Sequence, residues 1–328
     1  MYDRIKDFLG EDWLAYRKMV ESSLHAEMAM LNKINEYLFQ RPGKQIRPML
    51  SLLTAKACNS GICGSNVIRC AAASEMLHTA TLLHDDVADN SDTRRGAPTV
   101  MSVVSPTASV LIGDFWLSKV IELIVTHCDN RIILCFSKCL KDLAEGEMLQ
   151  LEKAETLSTT EDDYFAIIYR KTASLFETSI KSAAYAADAT METVSAFEQY
   201  AVHVGLAFQI MDDIFDYSPA LSIGKPTGID ILEKKITLPL LGAFMNASSA
   251  ETDDIKSQIK EAGSSPQQDR KIVDNTFDFV NRHNGIDYAK SRLSREIAIA
   301  VDSLADIMPS DAKTYLTELA RYMSRRLN

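Results

Sequence analysis

Apolar residues recur at intervals of three and four along nearly the whole chain, and the strict alternation expected of a half-buried strand is scarce. With 13 glycines and 9 prolines in 328 residues, there are few places where a helix must stop or a tight hairpin can form. The pattern predicts helix after helix, over about 11–39, 46–58, 65–91, 106–127, 129–153, 161–187, 192–217, 235–247, 250–262, 266–282, 286–306 and 311–326. Between them lie short breaks with turn chemistry: Arg41-Pro42-Gly43, Cys58-Asn59-Ser60-Gly61, Arg95-Gly96-Ala97-Pro98 and Gly263-Ser264-Ser265-Pro266. None is long enough to be an interdomain linker. The expectation is therefore an all-α chain with residues 1–328 as a single domain.

Long apolar helices normally carry acids only on a solvated face, and two segments break that rule. In TLLHDDVADNSD, Asp85 and Asp89 are four apart, so a helix projects both carboxylates from one side with Asp86 beside them. FQIMDDIFDY repeats the geometry with Asp212, Asp213 and Asp216, now embedded among Phe208, Ile210, Met211, Ile214, Phe215 and Tyr217. Desolvating several carboxylates costs several kcal/mol per ion unless cations compensate. Magnesium suits the task, because it takes one or two carboxylates and completes its shell with water and substrate phosphate oxygens. Two such clusters predict a shared polymetal site that grips a phosphorylated ligand.

A cage for that ligand also needs cations, and they are present beside the acids or at breaks. Lys44 and Arg47 sit in GKQIRP, Arg94 and Arg95 follow the first cluster, Lys171 opens KTASL, and Lys225 and Lys235 bracket GKPTGIDILEKK. Arginine grips phosphate with a bidentate fork, and lysine acts as a point charge. The overall charge of −10 excludes the broad basic surface of a nucleic-acid or anionic-membrane binder, so an anionic ligand must be held locally. Six cysteines without CxxC spacing read as free thiols in a reducing compartment. The opening MYDRIKDFLGEDWL is not patterned as a signal peptide, and no uncharged apolar run reaches the roughly 18 residues of a membrane span. A cytoplasmic chain with no membrane span is expected.

The ordered series GKQIRP, EMLHTATLLHDDVAD, RRG, GDFWL, GEMLQ, KTASL, FQIMDDIFDY and GKPTGID with ITLPL resembles the trans-polyprenyl diphosphate synthases, members of the isoprenyl diphosphate synthase family, across almost the whole chain. The resemblance implies one bundle of about a dozen helices around a deep central cavity, a homodimer, and three magnesium ions between the aspartate helices. It also implies the substrates, an allylic diphosphate and isopentenyl diphosphate. Position by position, Asp85, Asp89 and Asp212 would bind magnesium, with Asp86, Asp213 and Asp216 in support. Arg94, Lys171 and Lys225 would hold the allylic diphosphate, and Lys44, Arg47, His78 and Arg95 isopentenyl diphosphate. Thr172 and Gln209 would line the carbocation. Many relatives have glycine between the acid and the lysine of the stretch written here as Glu233-Lys234-Lys235, which leaves Lys234 and Lys235 as alternatives for the phosphate contact. Arg325 and Arg326 are candidates for the basic tail that the family often carries.

Two other readings compete. A terpene cyclase shares the first aspartate motif but carries an NSE- or DTE-type second site, where this chain has DDIFD. A non-catalytic subunit of a heteromeric synthase keeps the fold but typically loses the aspartates or basic residues, which this chain retains.

Product length should follow the depth beneath Asp85. Thr81 and Ala80 lie about 6 to 8 Å down the helix at ~1.5 Å per residue, and both are small. In the resembled family, aromatic residues there, or an insertion in the first motif, go with short products, so a product longer than twenty carbons is expected. The floor is then set lower, by Leu77, Met76 or Phe136; Phe115 or Trp116 closing the tunnel early is the alternative, a short-chain synthase. Ala80→Phe should shorten the product on chromatographic sizing, and an unchanged length would remove Ala80 from the wall.

Overall fold

The computed structural model describes residues 1–59, 63–94, 96–218 and 227–325, with side chains as far as Met323. Its internal contacts divide it into two compact units: residues 1–137, 178–198 and 307–316, and residues 138–177, 199–306 and 317 onward. Apart from one hairpin of two-residue strands, the regular structure of the described residues is helical.

The first unit is built on α1 (Tyr2–Leu9), α2 (Glu11–Ser23), α3 (Ala29–Phe39), α4 (Ile46–Cys58), α5 (Ser65–Ala88), α6 (Val100–Val103) and α7 (Pro106–His127), with the hairpin β1 (Thr93–Arg94) and β2 (Ala97–Pro98) after α5. α5 packs along α2, α4 and α7. Its run of Ala71, Ala72, Ala73 and Ala80 is fully buried, as are Met49, Leu50, Leu52 and Leu53 of α4; each large aliphatic side chain so buried contributes about 1.5–3 kcal/mol. Ser105 caps α7 by accepting the Ala108 N–H, with Pro106 in the first turn where its missing N–H costs nothing. The predicted 106–127 is this helix to the residue.

The predicted 11–39 helix is in fact α2 and α3. Asn35 Nδ2 donates to the Leu24 carbonyl (2.8 Å), and the Asn32 amide exchanges two bonds with the backbone of Ala26. These side chains satisfy the peptide groups that a continuous helix would have paired. The hairpin was not anticipated, because two residues per strand are too few for any periodicity.

The second unit contains α9 (Glu161–Ile168), α12 (Ile229–Leu232), α13 (Leu238–Asn246), α14 (Ser249–Lys260), α15 (Pro266–Arg282) and α16 (Gly285–Ser303). Three helices contribute residues to both units: α8 (Asn130–Thr156), α10 (Ser174–Ala186) and α11 (Met191–Asp216). So does the last, α17 (Asp311–Arg325). Capping boxes at Thr160/Asp163 and Ser248/Glu251 start α9 and α14. The predicted 161–187 helix is α9 and α10 joined through a single π turn at Tyr169–Ala173, in which the Ser174 N–H bonds the Tyr169 carbonyl. All six cysteines are free thiols, and no helix among the described residues is long and apolar enough to cross a membrane.

α13 and α16 approach closely at Gly285, where an added Cβ would lie 2.0 Å from the Pro239 carbonyl oxygen. Gly285→Ala should therefore lower unfolding free energy by about 1–3 kcal/mol in denaturant titration. Gly64→Ala, where a Cβ meets nothing within 4 Å, should stay within about 0.5 kcal/mol of wild type; equal effects would overturn this account.

Candidate active site

In the first unit, α5 turns Glu75, His78, Thr79, Leu82, Leu83 and Asp86 toward a cavity of about 290 Å³. The spacing of three and four residues puts them on one helical stripe. Asp86 is 4% exposed and accepts from Arg94 Nε at 2.6 Å. Burial pushes the Asp86 carboxyl above its usual range, and the Arg94 guanidinium pulls it back. β1 carries Arg94 into this pairing. The loop before it is pinned by Ser91 N–H to the Asp86 carbonyl and by Thr99 Oγ1 to the Ser91 carbonyl, both 2.8 Å. Asp85 is half-buried and Asp89, just beyond the helix, is exposed.

Pro42 and Gly43 also line this cavity, as does Trp116, whose Nε1 donates to Asn35 Oδ1 at 2.8 Å. Lys44 is exposed with its ammonium 5.9 Å from the Tyr2 ring centre, and Arg47 is half-buried in the first turn of α4; neither lines the cavity. Leu77 and Ala80 are fully buried on other faces of α5, and the Thr81 hydroxyl donates to the His78 carbonyl at 2.9 Å. The cavity thus joins His78, Asp86 and Arg94 and leaves Leu77, Ala80 and Thr81 outside its lining. Arg95, Lys225, Arg326 and the Arg325 side chain lie outside the described residues.

In the second unit, a smaller cavity of about 120 Å³ is lined by Lys171, Thr172, Gln209, Asp213, Asp230 and Lys235 among others. Lys171 and Thr172 reach it from the π turn. One extra residue per turn re-aims side chains locally, which is why π turns concentrate at functional sites. Two features hold the turn. The Tyr169 hydroxyl donates to Glu177 Oε2 and accepts from Lys138 Nζ, each at 2.6 Å. Gly146, of the GEMLQ stretch on α8, leaves room for it: a Cβ there would come within 2.7 Å of Arg170 Cβ and 3.0 Å of the Lys171 nitrogen. The next residue, Glu147, pairs with Lys171 at 2.6 Å.

At the end of α11 the acids are held by hydrogen bonds. Asp213, 3% exposed, accepts from Tyr164 OH (2.6 Å) and from Gln209 Nε2 (2.8 Å), and Gln209 Oε1 in turn accepts from Thr172 Oγ1 (2.7 Å). Asp216 accepts the N–H groups of Ile229 and Asp230 on its two oxygens, at 3.1 and 3.2 Å, and its carbonyl accepts that of Gly228. Asp212 is half-buried. Lys235 pairs with Glu233 and lines the cavity. Lys234, outside that lining, sits at φ 59°, the left-handed conformation that glycine adopts without penalty. Backbone conformation and cavity lining thus separate the two lysines.

Burial drives Asp213 up to about 7, raises Asp216, and raises Asp230 well above the usual carboxylate range; neighbouring acids push each of them further. Carboxylates that resist ionisation together are the setting a divalent cation relieves. Among the described residues no three potential ligands already converge on one point. The donor set therefore fits an ion completed by water and ligand oxygens, as magnesium prefers, better than a closed protein cage.

The family model described as polyprenyl synthetase matches residues 28–276. The chain belongs to that family. This polyprenyl synthetase is 35% identical to the octaprenyl diphosphate synthase of Haemophilus influenzae over 98% of its own length and 96% of the relative's. Its fold matches the decaprenyl diphosphate synthase of Rhodobacter capsulatus with a TM-score of 0.93 at 32% identity, covering 100% of both chains. A polyprenyl synthase from Caulobacter crescentus, complexed with calcium and isoprenyl diphosphate, matches with a TM-score of 0.89 at 29% identity over 99% of this chain and 97% of that one.

Sequence reasoning missed Tyr164 and Asp230 and left Glu147 without a duty. Tyr164 is one tyrosine in an amphipathic helix, and nothing local distinguishes it. Asp230 and Glu147 gave weak signals, as acids inside motifs already read for their other residues. Lys234→Gly should raise stability by up to about 1 kcal/mol, the relief of a left-handed side chain less the added backbone entropy. Lys234→Val should lower it by about 1 kcal/mol or more. Urea midpoints in the reverse order would contradict the assignment of backbone strain.

Proposed function

We propose that this polyprenyl synthetase condenses an allylic diphosphate with isopentenyl diphosphate, repeatedly, to a trans-polyprenyl diphosphate longer than twenty carbons. The observation that carries the reading is the second-unit cavity, which gathers Lys153, Lys171 and Lys235, the Thr172–Gln209 pair, and Asp213 and Asp230. Likeness to octaprenyl and decaprenyl synthases over almost the entire chain supports both the reaction and the long product.

In this reading Asp85, Asp89 and Asp212 bind magnesium, three ions in all, with Asp86, Asp213 and Asp216 orienting ligands and water. When bound, the metal supplies Lewis-acid stabilisation of the leaving diphosphate. The chain's own cations share that task. Lys171, Lys225, Lys235 and Arg94 face the charge that grows as the allylic carbon–oxygen bond breaks. Thr172 and Gln209 turn oxygen toward the carbocation. Lys44, Arg47, His78 and Arg95 hold isopentenyl diphosphate so that its double bond attacks that carbon. Loss of a proton to the departing diphosphate leaves a chain five carbons longer, and apolar walls keep water from quenching the cation.

The reading extends to assembly and place. Residues 1–328 act as one catalytic domain, supported by likeness to polyprenyl diphosphate synthases over 98–100% of the chain. The protein works as a homodimer, a proposal supported by the exposed apolar stripe of Val110, Leu111, Ile121 and Val125 on α7. It acts in the cytoplasm, where its free thiols stay reduced.

The purified chain alone, given magnesium, labelled isopentenyl diphosphate and a fifteen-carbon allylic primer, should yield products beyond twenty carbons. A chelator should abolish turnover, and Asp85→Asn or Asp212→Asn should lower kcat by about 10²–10³, the scale of losing one aligned charge-stabilising group. Products ending at fifteen or twenty carbons would exclude the long-chain assignment. Conversion of the allylic diphosphate without uptake of isopentenyl label would indicate a cyclase, and no turnover would indicate a non-catalytic subunit.

A further inference from the structure

We propose that Tyr164 is a positioning residue for the prenyl transfer inferred above, fixing through Asp213 which atoms Thr172 and Gln209 present to the cavity. Tyr164 is 3% exposed on α9, a helix started by a capping box and tied to α8 through Lys153–Asp163 at 2.9 Å. Its hydroxyl donates to one oxygen of Asp213 and the Gln209 amide nitrogen donates to the other.

These bonds settle an orientation that a glutamine alone leaves open. When ionised, Asp213 only accepts, so the Gln209 amide turns its NH₂ toward Asp213 and its oxygen away. That oxygen accepts from Thr172, so the single hydroxyl hydrogen of Thr172 is committed to Gln209. Both side chains line the cavity, and each hydrogen bond of the series donates in the direction of Asp213. Thr172 Oγ1 and Gln209 Oε1 thereby keep oxygen lone pairs for the cavity, which attract a carbocation; the flipped amide would offer N–H hydrogens in place of the glutamine oxygen. Hydrogen bonds in such a series polarise one another.

Tyr164 anchors the far end. Without its hydroxyl, one buried oxygen of Asp213 loses its donor, and the carboxylate is no longer held with the other oxygen aimed at Gln209. Removing the hydroxyl alone leaves the ring, which packs edge-on to Phe165 with centroids 5.4 Å apart.

The test compares wild type, Tyr164→Phe, Asp213→Asn and the double variant, with thermal unfolding recorded for each. Tyr164→Phe should lower kcat about 10-fold or more while KM for both diphosphates stays within about 3-fold, a loss confined to the transition state. The share of allylic alcohol formed by water capture should rise. By calorimetry, binding of an ammonium analogue of the allylic cation together with inorganic diphosphate should weaken about 10-fold, while inorganic diphosphate alone binds as to wild type. In the Asp213→Asn background the tyrosine substitution should have little further effect, because the two act as a unit. Unchanged kcat and ammonium binding, effects that add in the double variant, or losses that track unfolding temperature and both KM values would each overturn the role. Wild type failing to incorporate isopentenyl label would instead remove the reaction on which the role rests.

Discussion

The constraint on which the acidic end of the second unit depends is the desolvation of Asp213. A carboxylate in that position is tolerable only if its oxygens are fully used, and the fold devotes two helices to using them: Tyr164 on α9 and Gln209 on α11 each donate one bond. The neighbouring acids obey the same demand. Asp216 is satisfied by backbone N–H groups at the start of α12, so the acid that ends one helix also fixes the start of another. Even so, burial raises both groups and Asp230. A cation bound beside them would favour the charged form of all three.

Much of this was legible because helices and buried charge leave strong marks in a sequence. The 3.6-residue period gave α4, α7 and α15 to the residue and most other helices to within a few positions. The aspartate triplets stood out because their surroundings are apolar. What was illegible depends on contacts distant in sequence or on backbone geometry without a residue signature. The break between α2 and α3 is written in Asn32 and Asn35, ordinary polar residues on a helical period. The π turn depends on the Tyr169–Glu177–Lys138 bonds and on the missing side chain of Gly146.

Lys234 and Lys235 differ in ways that composition does not show. Both are lysines in one short stretch, and charge alone gives no reason to choose. Backbone conformation does: one residue occupies a turn geometry better suited to glycine, and its neighbour lines the cavity. Glu147 changes meaning in the same way, from an unassigned acid in GEMLQ to the counter-ion of Lys171.

That pairing, with the matching one between Lys235 and Glu233, has a consequence for selectivity. Each cavity lysine already has a carboxylate partner, so a weakly charged anion gains little by replacing it. In the proposed reaction a diphosphate would have to compete with these carboxylates for the lysines, and the pairs would weigh most against anions of low charge.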